Sequence, residues 1–65
     1  MKLKVDEMSC GHCAAAVTKA VEGAANGAKA DIDLAKGEVT VTGTTDTAAV
    51  IAAIADVGYQ AVQIS

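Results

Sequence analysis

The stretch "DIDLAKGEVTV", residues 31–41, contains two runs in which apolar and polar residues alternate, with a short turn between them. A period of two places one set of side chains on the core face of a β-strand. Gly37 lies between the runs, where a tight turn can use its backbone freedom. The stretch therefore predicts a β-hairpin. The apolar positions on its core side are Ala28, Ala30, Ile32, Leu34, Val39 and Val41.

Before the hairpin, the sequence predicts a strand and then a helix. Leu3 and Val5 alternate with lysines, which indicates a short strand over residues 2–5. From Cys13 onward the apolar residues follow helical spacing, and glycine at Gly23 or the pair at 26–27 can end that helix. The stripe of this first helix comprises Cys13, Val17, Ala20, Val21 and Ala24.

After the hairpin, a second helix and a last strand are expected. The residues "TTD" at 44–46 offer helix N-cap candidates, and Gly58 can end the helix. Its apolar positions are Val50, Ile51, Ile54 and Val57. Val62 and Ile64 then alternate with Ala61 and Gln63 in a final strand. The order βαββαβ predicts an α+β, ferredoxin-like sandwich, in which two helices lie on one face of a four-stranded antiparallel sheet. We expect residues 1–65 to form one domain.

The composition limits the classes of function. The chain has 65 residues, of which 15 are alanine, with one Tyr and no Trp or Phe, so a small aliphatic core is expected. Five lysines and no arginine stand against eight acidic residues, giving a net charge of −3. This balance argues against nucleic-acid binding, which needs a concentrated basic face. The opening "MKLKVDE" lacks the apolar run of a signal peptide, and we expect a cytoplasmic protein without direct membrane insertion.

The only two cysteines lie in "EMSCGHCAAAV", residues 7–17, on either side of one glycine and the only histidine. On the predicted layout, Cys10 falls in the loop after the first strand and Cys13 in the first turn of the first helix. The backbone N–H groups and the dipole of a helix N-terminus stabilise a thiolate there. In a reducing compartment, the pair is therefore expected to be a reactive or ligand site rather than a structural disulfide.

Three chemistries compete for this pair. A thioredoxin-like redox site is disfavoured because the sequence has no proline to supply the cis-proline that accompanies such cysteines. A closed zinc site needs four ligands, which would require Glu7 or Asp6 and a water to complete it. Cu(I) is soft, prefers sulfur, and is satisfied by two thiolates. A two-coordinate ion also leaves room for an incoming thiolate, so it can pass between proteins by ligand exchange.

The sequence resembles the heavy-metal-associated domain family, and within it the bacterial copper metallochaperones. The resemblance rests on "MSCGHC" at the start of an Ala/Val helix, on "DIDLAKGEVTV", on "DVGY" before the last strand, and on the βαββαβ order. It covers essentially the whole chain. The resemblance implies that Cys10 and Cys13 bind Cu(I), that Met8 packs beneath the loop, and that Tyr59 approaches the metal. It also implies a partner, the metal-binding domain or entry site of a copper-transporting P-type ATPase.

Three further residues of the loop bear on this resemblance. Zinc-preferring relatives tend to carry an acidic residue beside the first cysteine, whereas this chain has Ser9. A histidine before the second cysteine is common in such chaperones. His12 is expected to be a solvated loop residue without a metal bond, and the alternative is that it modulates site charge or bridges a dimer. The family usually has glycine before the methionine, where this chain has Glu7, and glycine adopts backbone angles that glutamate resists.

The sequence thus predicts a copper(I) chaperone that binds and transfers its ion without catalysing a reaction. Two alternatives stay open: a metal-binding domain that belongs to a larger copper ATPase, and a small thiol oxidoreductase. Open two-coordinate sites can also share sulfurs between chains, so copper is expected to favour a bridged homodimer.

Overall fold

The computed structural model describes residues 1–8 and 11–65. Ser9 and Cys10 lie outside the described residues. The elements follow the predicted order. They are β1 (Lys2–Val5), α1 (Gly11–Ala24), β2 (Lys29–Asp33), β3 (Glu38–Thr42), α2 (Thr47–Asp56) and β4 (Ala61–Gln63).

The four strands form one antiparallel sheet in the order β2-β3-β1-β4. The predicted hairpin supplies β2 and β3, with Asp33 opposite Glu38 at its turn end. Gly37 adopts φ +65° in that turn, a left-handed conformation in which glycine has no Cβ to clash. β1 lies between β3 and β4, so the strand that leads into the cysteine loop is held on both edges.

Both helices pack on one face of the sheet, as predicted. Val17 and Val21 of α1 and Val50 and Ile54 of α2 have no exposed surface. They meet the inward side chains of β1 and β3, so the hydrophobic effect that stabilises the sheet also fixes the position of α1. The complete set of buried core residues is Leu3, Val5, Met8, Val17, Val21, Ala28, Val39, Val41, Val50 and Ile54.

Two details depart from the alternation in the sequence. Leu34 is 41% exposed, because β2 ends at Asp33 and Leu34 belongs to the turn. In β4, Ala61 is opposite the buried Val5, whereas Val62 is opposite the exposed Lys4. Residues opposite one another share a face of the sheet, so Val62 points away from the helices and is 61% exposed.

The second helix begins at a side-chain cap. Asp46 is the N-cap residue, and its carboxylate accepts a hydrogen bond from the Ala49 N–H at 3.1 Å. The aspartate of the predicted "TTD" signal is therefore the capping residue.

Neither helix within the described ranges has the length and apolar character needed to cross a membrane.

Candidate metal-binding loop

The start of the cysteine loop is fixed on two sides by backbone hydrogen bonds. The Val5 N–H donates to the Gly37 carbonyl at 2.9 Å, and the Asp6 N–H donates to the Gln60 carbonyl at 2.9 Å. The first bond ties the loop to the β2–β3 turn and the second ties it to the segment before β4. The chain therefore enters the loop from a backbone position that two distant segments hold in place.

Glu7 adopts φ +63° and is the only non-glycine residue with positive φ among residues 1–8 and 11–65. The left-handed region costs a residue with a Cβ roughly 1–2 kcal/mol, because the Cβ approaches the carbonyl oxygen. The expected conflict between glutamate and the backbone at this position is therefore present in the structure. Glu7 therefore adopts a backbone conformation that favours glycine.

Met8 follows Glu7 directly and is only 3% exposed. It belongs to the core cluster together with Leu3 and Val5 of β1. Burying a methionine side chain contributes about 1.5–3 kcal/mol, so Met8 anchors the chain at the point where it leaves the sheet. Met8 is therefore a core residue, and its support of a metal-binding loop stays a prediction.

The cysteine loop leads into the first turn of α1, which begins at Gly11. Cys13 lies in that turn, is half-buried, and packs against the core cluster. His12 is exposed. The first turn contains no acidic side chain, so no carboxylate within it interacts with the positive end of the helix dipole. The structure thus puts Cys13 at the predicted helix N-terminus, whereas the predicted ligand Cys10 and its neighbour Ser9 lie outside the described residues.

Tyr59 lies at the same end of the fold as this loop. Its N–H donates to the Ile54 carbonyl at 3.3 Å, and the next residue, Gln60, accepts the bond from Asp6. The turn depends on Gly58, which adopts φ +97°. The side chain of Tyr59 is half-buried against the core. Tyr59 thus directly precedes the residue whose carbonyl is bonded to Asp6, and its approach to a bound metal stays a prediction.

Gly37 and Gln60 also support the loop, and the sequence patterns did not reveal this role. Both act through their backbone carbonyls, which accept from Val5 and Asp6. Every residue has a carbonyl, so residue type carries no signal for such a contact. Knowledge of strand order would have been needed, because β3 and β4 flank β1 and bring these segments to its end.

The described residues do not by themselves assemble a multidentate metal site. Within 1–8 and 11–65, no three histidine, cysteine, aspartate or glutamate side chains are grouped to hold an ion. The exposed carboxylates of Asp6 and Glu7 follow β1 at the loop, but they form no such group with the other described residues. Of the two predicted cysteine ligands, Cys13 is the one that lies within the described residues.

Comparison with known proteins identifies the family. The family model of the heavy-metal-associated domain matches residues 2–60. No curated protein sequence matches the chain significantly. Among solved structures, a mutant of the copper chaperone Atx1 from Synechocystis PCC6803, in a trimeric form, is 35% identical with a TM-score of 0.88, covering 95% of this chain and 98% of that one.

Two further solved structures share the fold over nearly their full length. A CopZ metallochaperone is 36% identical with a TM-score of 0.84, covering 95% of this chain and 97% of that one. A gold-binding protein is 28% identical with a TM-score of 0.85, covering 94% of each chain. The family match spans most of the sequence and agrees with the observed strand and helix order. The chain belongs to the heavy-metal-associated domain family.

Proposed function

We propose that this protein is a copper(I) chaperone, which binds one Cu(I) ion through Cys10 and Cys13 and transfers it to another protein. The observation that carries the proposal is the position of Cys13 in the first turn of α1, three residues after Cys10. Copper chaperones among the structural neighbours lend support. A soft ion with low coordination number suits a pair of thiolates without further protein ligands.

Transfer would proceed by exchange of thiolates on the cargo ion. An incoming cysteine thiolate of the partner adds to the two-coordinate ion, and one sulfur of this chain then leaves. A second exchange completes the transfer. Each partner thiol gives up its proton to become the incoming thiolate, and each departing sulfur of this chain takes up a proton. No bond of the protein backbone changes and no electron is transferred, so this role requires no catalysis.

The anchored loop entry supports such a transfer. Met8 is buried and Asp6 is bonded to Gln60, so the chain on the N-terminal side of Cys10 is held to the core. On the C-terminal side, α1 packs through Val17 and Val21. Exchange of ligands would then require little rearrangement of the fold, which keeps the ordering cost of docking low.

The partner we propose is the cytosolic metal-binding domain or entry site of a copper-transporting P-type ATPase. A dithiol in that partner would provide the receiving ligands. Residues 1–65 would then act in the cytoplasm as a single domain. The alternative, that this domain belongs to such an ATPase, is distinguished by whether the genomic reading frame continues into transmembrane helices.

The proposed site is tested by anaerobic Cu(I) titration against a competing chelator. Cys10→Ser and Cys13→Ser should each lose high affinity, because serine oxygen is a poor ligand for a soft ion. Ala15→Ser is a matched control, since it introduces the same hydroxyl at an exposed position of α1. Retained affinity in either cysteine variant would contradict two-thiolate binding. The same titration with Zn(II) tests the preference for copper.

Copper-bridged association is a separate part of the proposal. Sharing of sulfurs between two open sites should convert monomer to dimer as the copper-to-protein ratio rises. Sedimentation equilibrium at increasing ratios measures this directly. His12→Ala tests whether the exposed imidazole contributes to the bridge, and a monomer mass at every ratio would refute bridging.

A further inference from the structure

Asn26 is the only asparagine in the chain, and it is followed by Gly27. The two residues form the exposed turn between α1 and β2. The Ala28 N–H donates to the Ala25 carbonyl at 3.2 Å across this turn, and Gly27 adopts φ +81°. A positive φ at the third position is that of a type II turn, which favours glycine there.

The surroundings of this turn leave it open to water and to internal attack. Apart from Gly27 and its two chain neighbours, none of the described residues has an atom within 4 Å of the point where a Cβ of Gly27 would be. Neither the Gly27 N–H nor the Asn26 side chain takes part in a hydrogen bond within the described part of the chain. Glycine also offers its backbone nitrogen without a neighbouring side chain to hinder approach.

We infer that Asn26 is a site of spontaneous deamidation through a cyclic imide with Gly27. The backbone nitrogen of Gly27 attacks the side-chain Cγ of Asn26, a new N–C bond forms, and the C–NH2 bond breaks. Ammonia leaves with the proton of the Gly27 amide. Water then opens the five-membered ring at either carbonyl, which gives aspartate or isoaspartate, and no oxidant or reductant is involved.

The isoaspartate product would disturb a specific contact. Gly43 adopts φ +85°, and a Cβ placed on it would overlap the Gly27 carbonyl. The backbones of Gly27 and Gly43 are therefore in close approach. Isoaspartate adds one methylene to the main chain directly before Gly27, so it shifts the carbonyl that packs against Gly43.

Both products also place a new negative charge after the C-terminus of α1. The last turn of this helix has no basic residue, and Glu22 already adds negative charge there. A carboxylate at the negative end of a helix dipole is unfavourable. The modification should therefore lower stability through charge in both products and through backbone displacement in isoaspartate alone.

The metal loop should be unaffected. α1 has 14 residues and a rise of 1.5 Å per residue, which separates its two ends by roughly 20 Å. Cys13 is in the first turn and Asn26 follows the last. Aged protein should keep the metal affinity of fresh protein while it unfolds at lower temperature, whether or not the preferred metal is copper.

The test uses the full chain without metal, incubated at physiological temperature and mildly alkaline pH for several days. Intact mass spectrometry should show replacement of one amide by a hydroxyl, and labelling by an isoaspartyl methyltransferase should reveal isoaspartate at residue 26. Asn26→Gln is the matched control, since its longer side chain would need a less favourable six-membered ring. The same chain unfolded in urea confirms that the conditions support the reaction.

Two outcomes decide the inference. A native chain that stays as unmodified as Asn26→Gln would overturn it. For the Gly43 contact, the separated isoaspartate form should have a lower thermal midpoint than Asn26→Asp, which carries the charge without the added methylene. Equal midpoints would refute the proposed displacement at Gly43.

Discussion

The two helices begin in different ways, although each follows a strand in the same layer of the fold. α2 is capped by Asp46, whose carboxylate accepts a hydrogen bond from the Ala49 N–H at 3.1 Å. The Asp46 N–H in turn donates to the Thr44 hydroxyl oxygen at 3.1 Å. The first turn of neither helix contains an acidic side chain, but the first turn of α1 contains Cys13. In one half of the molecule a carboxylate caps the helix, and in the other we propose that thiolates at the start of the helix bind a metal ion.

Although both helices follow a strand in the same way, the start of α2 contributes to stability and the start of α1 is suited to binding a ligand. A capped N-terminus satisfies its own N–H groups and offers little to a ligand. An N-terminus with cysteines places negative sulfur where the helix dipole favours it. Substitutions at the two positions should therefore have different consequences, and the following predictions test that contrast from the largest effect to the smallest.

The largest contrast should come from Cys13→Ser and Asp46→Ala. Loss of the sulfur ligand should weaken Cu(I) binding by more than about 100-fold, beyond what loss of a group that merely supports a ligand usually costs. Asp46→Ala should leave Cu(I) affinity unchanged and lower the free energy of unfolding by about 1 kcal/mol, through loss of the cap. Chelator competition and urea denaturation measure the two effects. If Asp46→Ala weakened Cu(I) binding as strongly as Cys13→Ser, the two helix ends would not be functionally distinct.

The loop before α2 should be far less tolerant of a Cβ than the interior of α1. Gly43→Ala combines φ +85° with overlap of the Gly27 carbonyl, so we expect a loss of at least about 2 kcal/mol in the free energy of unfolding. Gly23→Ala is the matched control, since open space surrounds that helical glycine and alanine should stabilise by about 0.8 kcal/mol. Urea denaturation of both variants tests this difference in sign. Similar values for the two would contradict the close approach at Gly43.

Much of this fold was predictable because its alternation and helical periodicity are consistent along the chain. The strand Lys2–Val5, the buried Val39 and Val41, and the capping signal before α2 follow from local patterns. The outward direction of Val62 did not, because the register of β4 against β1 decides which side of a short edge strand is buried. A three-residue strand contains too little pattern to fix that choice alone.

At the candidate site, the place of Cys13 in the fold was predictable, whereas the contacts that hold the loop were not. Cysteine spacing and the expected helix start placed Cys13 in the first turn of α1. The bond between Asp6 and Gln60 could not be inferred, because it joins backbone groups far apart in the sequence. The conflict at Glu7 could be anticipated only through the resemblance to a family with glycine there.

A smaller effect on the free energy of unfolding is expected at Glu7. This residue leads into the cysteine loop with a positive φ, whereas Asp46, which leads into α2, has a negative φ. The left-handed φ of +63° should make Glu7→Gly stabilising by about 0.5–1 kcal/mol, since relief of the Cβ strain exceeds the added entropy of the unfolded chain. Glu7→Ala keeps a Cβ and should show no such gain. Thermal and urea unfolding of the metal-depleted chains provide the measurement. A gain for alanine equal to that for glycine would assign the effect to the lost charge instead.

The smallest effect is expected at Tyr59, the residue that lies beside the metal loop but belongs to the second half of the chain. Tyr59→Phe retains the half-buried ring, so the free energy of unfolding should change by less than about 0.5 kcal/mol. If the hydroxyl supports the bound metal, Cu(I) affinity or transfer rate should fall by about 10-fold, at the lower end for a residue that supports a ligand. Tyr59→Ala removes the ring as well and should lower stability in addition. Unchanged affinity and transfer rate in both variants would limit Tyr59 to packing, and this region would then support the site only through backbone contacts such as the Gln60 carbonyl.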